Sequence, residues 1–230
     1  MIPVLRVLIA ILFGGLAAWF LRYRYDRKEP SVWFFAWLVA SALNYAFSAA
    51  AYWVADMTIS QSLWAASFVI LSLSLFFIFA FARSFIMDAS HALFYWSIPL
   101  MFNLALIIME PEALFARTGD LWAIKDFNAA AIIYIIIDMF YGLLAVYYIF
   151  ALYGTLRSHD QARELRNWSY ILAGLLMVFA SAAVGGWLKA SVGPGIPVVE
   201  IGNLLGALLI MRGVTGPIFD LGMRRAEGEQ

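Results

Sequence analysis

Few side chains in this sequence could do chemistry within surroundings so apolar, and Asp138 is the most exposed to question. It stands in Ile135-Ile136-Ile137-Asp138-Met139-Phe140, ten residues into an apolar stretch. At a rise of 1.5 Å per residue that is about 15 Å along a helix, close to the midplane of a bilayer. A charge in hydrocarbon is costly unless it faces protein or water, so a carboxyl at this depth is a functional suspect. One reading is a proton-titrating or ligand-facing carboxylate. The other, which is preferred, is structural: a protonated acid bonded to Asn44, Ser72 or Ser74, polar residues at similar depth. No Lys or Arg occupies that depth, which argues against a charged pair.

Arg6 and Glu200 form a second pair. Each lies about one turn inside the end of its apolar stretch, the first and the last of the chain, and these are neighbours if the bundle closes. An ion pair sealing that seam is preferred over a ligand site. Asn203 follows Glu200 one turn deeper on the same helical face. Asn103, in the outer half of the fourth stretch, could complete a polar pocket opening outward. Asn103, Glu200 and Asn203 are therefore the candidate ligand-binding residues. Gly202 and Gly206 make a small-xxx-small pair, and Ala42, Ala46 and Ala50 line one face of the second stretch. Such spacing lets helix backbones approach, within the bundle or between chains. Pro99 is expected to kink the fourth helix or to fit a local gap.

Other chemistries lack their residues. The chain has no cysteine, which removes disulfides, thiolate metal sites and cysteine nucleophiles. Its two histidines, His91 and His159, fall near predicted helix ends, so a membrane-embedded bis-histidine haem has no ligands and no metal site is assigned. HExxH, GxSxG and P-loop patterns are missing. A retinal Schiff base would need a lysine in the last helix, and Lys189 precedes it. The acidic-Arg-aromatic and Asn-Pro signatures of G-protein-coupled receptors are missing too. No catalytic residue and no cofactor is assigned.

The elements that must position these residues follow from composition. The chain has 230 residues, 64% hydrophobic and 13% charged, with mean hydropathy +0.85. Soluble domains are about half apolar and a quarter charged. Lipid can accept the excess apolar surface; a water-soluble core of this length cannot hide it. Fifteen basic and fifteen acidic residues balance, so bulk attraction to nucleic acid is not expected. Seven stretches have the length a span requires: Ile2 to Leu21, Val32 to Ala55, Gln61 to Phe81, His91 to Met109, Ala129 to Tyr153, Trp168 to Leu188 and Ile196 to Met211. Breakers separate them, among them Glu29-Pro30-Ser31, Asp56, Asp88, Glu110-Pro111-Glu112 and Gly193-Pro194-Gly195. Continuous apolarity favours helices over barrel strands, which would alternate.

Basic residues set the expected orientation. Arg22, Arg24, Arg27 and Lys28, Arg83, the group Arg157, Arg163 and Arg166, and Arg212, Arg224 and Arg225 collect on one side, read as cytoplasmic. The first charge cluster follows the apolar run instead of preceding it, so that run reads as a retained anchor and not a signal peptide. The expected fold is an all-α seven-transmembrane helix bundle, N-terminus outside and C-terminus cytoplasmic. Residues 1–217 form the membrane domain and 218–230 a short cytoplasmic tail. The outer segment Glu110 to Phe127, with Leu114, Phe115, Leu121, Trp122 and Ile124, is expected to fold back as an amphipathic cover. The inner segment Leu156 to Asn167 is expected to prolong the fifth and sixth helices.

The arrangement resembles the N-terminal seven-transmembrane region of prokaryotic sensor histidine kinases. The residues that carry the likeness are Phe79-Ala80-Phe81-Ala82-Arg83, the basic loop Arg163-Glu164-Leu165-Arg166, and above all the last span and exit. The exit runs Ile196-Pro197-Val198-Val199-Glu200-Ile201-Gly202-Asn203-Leu204-Leu205, then Ile218-Phe219-Asp220-Leu221. The resemblance implies a multi-pass bundle in a prokaryotic cytoplasmic (inner) membrane that detects a small or membrane-associated cue and passes helix movement onward. The sequence departs from the family after Asp220, where neither a phosphoacceptor-histidine helix nor an ATP-binding domain follows, so kinase activity is not expected of this chain. Three functions are carried forward. The first is a non-enzymatic sensor acting through a protein partner in the membrane or at its cytoplasmic face. The second is an accessory subunit of a larger membrane complex, binding lipid or pigment. The third is a proton-coupled transporter using Asp138, for which the inverted repeats of such proteins are not visible.

Overall fold

A segment with no water to bond its backbone must satisfy its own N–H and C=O groups, and uninterrupted apolar runs of this kind do so as helices. The computed structural model describes residues 1–25, 28–85, 90–118, 121–124, 128–158, 162–191 and 195–216. The tail 218–230, Asp88 and His159 lie outside these residues, as do the side chains of His91, Trp122, Trp187 and Lys189. Seven long helices form the bundle: α1 (Ile2–Tyr23), α2 (Glu29–Trp53), α3 (Met57–Arg83), α4 (Ser90–Met109), α6 (Ala129–Ser158), α7 (Ala162–Ser191) and α8 (Val198–Val214). Between α4 and α6 lie a single-turn helix, α5 (Pro111–Leu114), and a two-stranded hairpin, β1 (Phe115–Thr118) and β2 (Leu121–Ile124).

The helix ends follow local rules. Proline occupies the first turn of α1, α2 and α5, where its missing N–H has no partner to lose. Asp56 caps α3 by accepting the Ile59 N–H at 2.9 Å. Arg22, Arg83, Arg157 and Arg212 sit in the last turns of α1, α3, α6 and α8, where helix dipoles favour cations. These four helices run in one direction and α2, α4 and α7 return. The bundle thus has a Met1 end and an arginine end.

Among the described residues, five helices, α1, α2, α3, α6 and α7, are long and apolar enough to cross a membrane, while α4 contributes the shorter apolar run Leu93–Met109 and α8 has 17 residues. The outside is greasy. Phe94, Tyr95, Ile98 and Met101 of α4 and Ile136, Met139, Leu143 and Tyr147 of α6 are all exposed. The chain is a multi-pass bundle suited to lipid. As expected, α6 and α7 are prolonged at the arginine end: α6 continues to Ser158 and α7 begins at Ala162. A helix of 30 residues is about 45 Å long, beyond the ~30 Å of a hydrocarbon core.

The described part of the expected cover, residues 110–118 and 121–124, lies at the Met1 end as a short turn of helix and a hairpin with Phe115 opposite Ile124. Leu114 and Phe115 are buried there against Trp64, Ile107 and Tyr134, and the Phe115 ring lies 4.5 Å from that of Phe68. The main core is aromatic and central, built on Phe20, Phe34, Phe79, Phe81, Tyr141 and Trp168.

Helix α8 is held by α7 on one side and α1 on the other. Gly202 and Gly206 face α7, within the bundle. A Cβ at Gly206 would stand 2.6 Å from Val178 Cγ2 and 2.7 Å from the Gly174 carbonyl, and one at Gly202 would collide with Ser181. Gly174 reciprocates, since its Cβ would lie 2.6 Å from the Gly206 carbonyl. The two backbones touch through their glycines. In the second helix, Ala46 of the Ala42-Ala46-Ala50 face is exposed and Ala42 meets Gly14 of α1. Gly206→Leu is therefore expected to separate α7 from α8 and to lower the melting temperature in mild detergent. Overpacking of this kind costs about 1–3 kcal/mol or more. Gly15→Ala, where an added Cβ would meet nothing within 4 Å, is the control that should leave melting unchanged.

Candidate functional site

Three helices bring polar side chains together in the middle of the bundle. Asp138 of α6 is buried, and its Oδ1 accepts from the Ser72 hydroxyl of α3 at 2.9 Å and from the Asn103 amide Nδ2 of α4 at 2.9 Å. The same Asn103 amide reaches Ser72 Oγ at 3.1 Å. Tyr134, one turn before Asp138 on α6, faces the carboxyl group. Two buried acceptors in this cluster receive no hydrogen bond: Asp138 Oδ2 and Asn103 Oδ1.

A second tie joins α4 to α6 one turn nearer the arginine end. The Tyr141 hydroxyl donates to the Trp96 carbonyl, and the Leu100 N–H donates to that hydroxyl at 3.1 Å. Leu100 and Trp96 are an i, i−4 pair, so the phenol is inserted into a rung of the α4 ladder. Pro99, beside that rung, has no N–H and crowds the preceding turn. The sequence marks Pro99; only the fold shows which residue accommodates it.

At the Met1 end a different cluster closes the seam between α1 and α8. Arg6 Nη2 lies 2.8 Å from Glu200 Oε1, with Nε at 3.3 Å from the same oxygen. Glu200 is 1% exposed. The guanidinium lies over the Trp64 ring at 4.8 Å and the Tyr52 ring at 5.6 Å, an arrangement in which aromatic faces stand in for water around the cation. One turn deeper, Asn203 accepts from the Ser181 hydroxyl at 3.1 Å.

The structure departs here from the pocket expected of Asn103, Glu200 and Asn203. Helix α4 packs on α3 and α6, whereas α8 packs on α7 and α1. Asn103 therefore joins Asp138, Glu200 joins Arg6, and Asn203 turns to α7. Of the partners expected for Asp138, Ser72 is in place. Ser74 is bonded to Ser41 of α2 at 2.9 Å instead. Depth along the fourth stretch permits Asn103 to complete an outward-opening pocket, but depth alone does not tell which way a residue turns on its helix. Tyr134 and Tyr141 carry no distinguishing mark among eleven tyrosines, although the i, i−4 spacing of Tyr134 from Asp138 places the two on one helical face.

A groove of about 500 Å³ runs between the Met1 ends of α3 and α4. Thr58, Gln61, Ser62 and Glu112 give it a polar mouth, and Val69 and Ile107 are among its apolar lining. Ile107 is one turn from Asn103 on α4, and Val69 is three residues from Ser72 on α3. The inner end of the groove thus approaches the Asp138 cluster. Among the described residues, no three His, Asp or Glu side chains gather at metal-ligand spacing.

The chain matches no protein-family model, no curated protein and no solved structure. Fold and composition nonetheless define its class, a multi-pass α-helical membrane protein with buried polar clusters at the α3–α4–α6 and α1–α8 contacts.

Two outcomes test these clusters. Tyr141→Phe removes the inserted hydroxyl and leaves the Leu100 N–H and Trp96 carbonyl without it. A melting-temperature drop corresponding to about 1–3 kcal/mol is expected, with faster amide exchange around Leu100. Glu200→Ala should destabilise by about 3–5 kcal/mol by stranding Arg6. Removing both charges in Arg6→Met/Glu200→Leu should recover much of that loss, as a double-mutant cycle on melting curves would read.

Proposed function

We propose that this chain is a non-enzymatic membrane sensor or signalling module, with seven spans, its N-terminus outside and its C-terminus in the cytoplasm of a prokaryotic inner membrane. The observation that carries the reading is the groove between α3 and α4, whose polar mouth and apolar interior suit a small amphipathic or membrane-associated cue. Its lining includes residues of α4, and α4 meets α6 through Asn103–Asp138 and through Tyr141. Helix α6 then runs on to Ser158 at the arginine end. A cue that shifts α4 would reach the opposite side through that one helix, to a partner at the basic surface. The resemblance to the membrane regions of sensor histidine kinases points the same way, as does the clustering of arginine at one end of the bundle.

A second reading is favoured by the exposed apolar faces of α4 and α6, which would suit an accessory subunit of a larger membrane complex.

Purification in mild detergent followed by native mass spectrometry separates the two. An isolated bundle carrying one small molecule is expected of the sensor, and Ala66→Trp, which places an indole in the α3 wall of the groove, should displace it. A stoichiometric protein complex with no small molecule would sink it in favour of the subunit. Orientation has its own test, because the chain has no cysteine of its own. Single cysteines at Glu112 and Lys28 should respectively react, and fail to react, with an impermeant maleimide added to intact cells; the reverse pattern would invert the topology.

A further inference from the structure

The hydrogen bonds around Asp138 are unevenly distributed. Oδ1 accepts two, from Ser72 and Asn103, which fills the two lone pairs of a carbonyl oxygen. Oδ2 accepts none, and neither does Asn103 Oδ1 on the neighbouring amide. Both residues are more than nine-tenths buried. Tyr134 also turns its hydroxyl to the carboxyl group, yet Oδ2 is left without a hydrogen bond, and a buried acceptor left empty is costly. In a carboxylic acid one oxygen is a carbonyl, and the other is a hydroxyl that needs an acceptor. Asn103 Oδ1 is an acceptor in need of a donor. One proton supplies what both oxygens lack.

We infer that Asp138 and Asn103 form a reversible proton-binding site, in which a neutral Asp138 hydroxyl donates to the Asn103 side-chain carbonyl while the Asn103 amide donates back. The step is a simple association: the proton comes from water, bonds to Oδ2 and returns to water on release. The groups facing the site make this assignment specific. Helix α6 presents Tyr134 and Tyr141, α3 presents Ser72 and α4 presents Asn103. No Lys, Arg, His or second carboxylate among the described residues acts on Asp138. With no cation to neutralise it, the carboxyl is neutralised by the proton. Release would leave a charge in the bundle interior and would break the donor-acceptor match that holds α4 to α6. The Tyr141 tie beside Pro99 would then hold that interface with less help. Proton occupancy thus sets how firmly the Met1-end half of α4 is attached. This inference stands whether or not the groove binds a cue.

The test uses the full chain in lipid nanodiscs. Infrared spectra should show a buried carboxylic-acid carbonyl band that shifts with carbon-13 aspartate labelling, disappears in Asp138→Asn and moves in Asn103→Leu. Raising the pH should abolish the band and accelerate amide exchange over residues 100–109. Asp138→Asn mimics the protonated form, because its amide can donate to Asn103, so exchange there should lose its excess pH dependence. The isotope shift needs no variant and survives any failure of Asp138→Asn to fold. The inference is overturned if no aspartate band of this kind exists in the folded protein. It is equally overturned if sodium raises the melting temperature through Asp138, since a metal cation would then occupy the place assigned to the proton.

Discussion

Every polar group inside this bundle must find its partner within the bundle, because neither lipid nor an aromatic core offers one. Backbone groups meet that demand by forming helices, which is why apolar runs this long admit little else. Side chains meet it only where helices meet. Asp138 draws a hydroxyl from α3 and an amide from α4, Arg6 finds Glu200 across the α1–α8 seam, and Ser41 finds Ser74 between α2 and α3. These contacts fix which helix faces lie together, a choice that non-directional apolar burial leaves loose.

The two sides of the bundle use different means of adhesion. Helices α7 and α8 come together through glycine, with backbone against backbone and little room for adjustment. Helix α4 is attached by larger side chains and by hydrogen bonds, and it is interrupted at Pro99, where a tyrosine from α6 completes its ladder. A helix held in this way has discrete contacts that can be made or released, whereas a glycine seam is altered only by disruption. This contrast is why the proposed signalling route runs through α4 and α6 and leaves α7 and α8 as a fixed frame.

The groove and the Asp138 cluster are adjacent along α3 and α4, while the Arg6–Glu200 pair lies on the α1–α8 side. The aromatic rings over Arg6 and the desolvated Glu200 describe a closed seam. The Asp138 cluster is buried too, but its hydrogen-bond inventory is unfinished, with two acceptors waiting for one donor. That imbalance distinguishes the cluster at α4 from the closed Arg6–Glu200 seam.

Apolar length and punctuation determined the helices: every span expected from the sequence contains the middle of an observed helix, and Arg22, Arg83, Arg157 and Arg212 lie together at one end. The Arg6–Glu200 contact was also readable, because two opposite charges one turn inside the first and last helices have few other partners. The grouping of Asn103 was not. Residue depth follows from counting along the chain, but the direction a side chain takes around its helix depends on which neighbours that helix acquires. In lipid both faces of α4 are apolar, so periodicity carries no mark of its buried side. Only tertiary packing decided that Asn103 meets Asp138, that Tyr141 repairs the ladder at Pro99, and that a groove opens between α3 and α4.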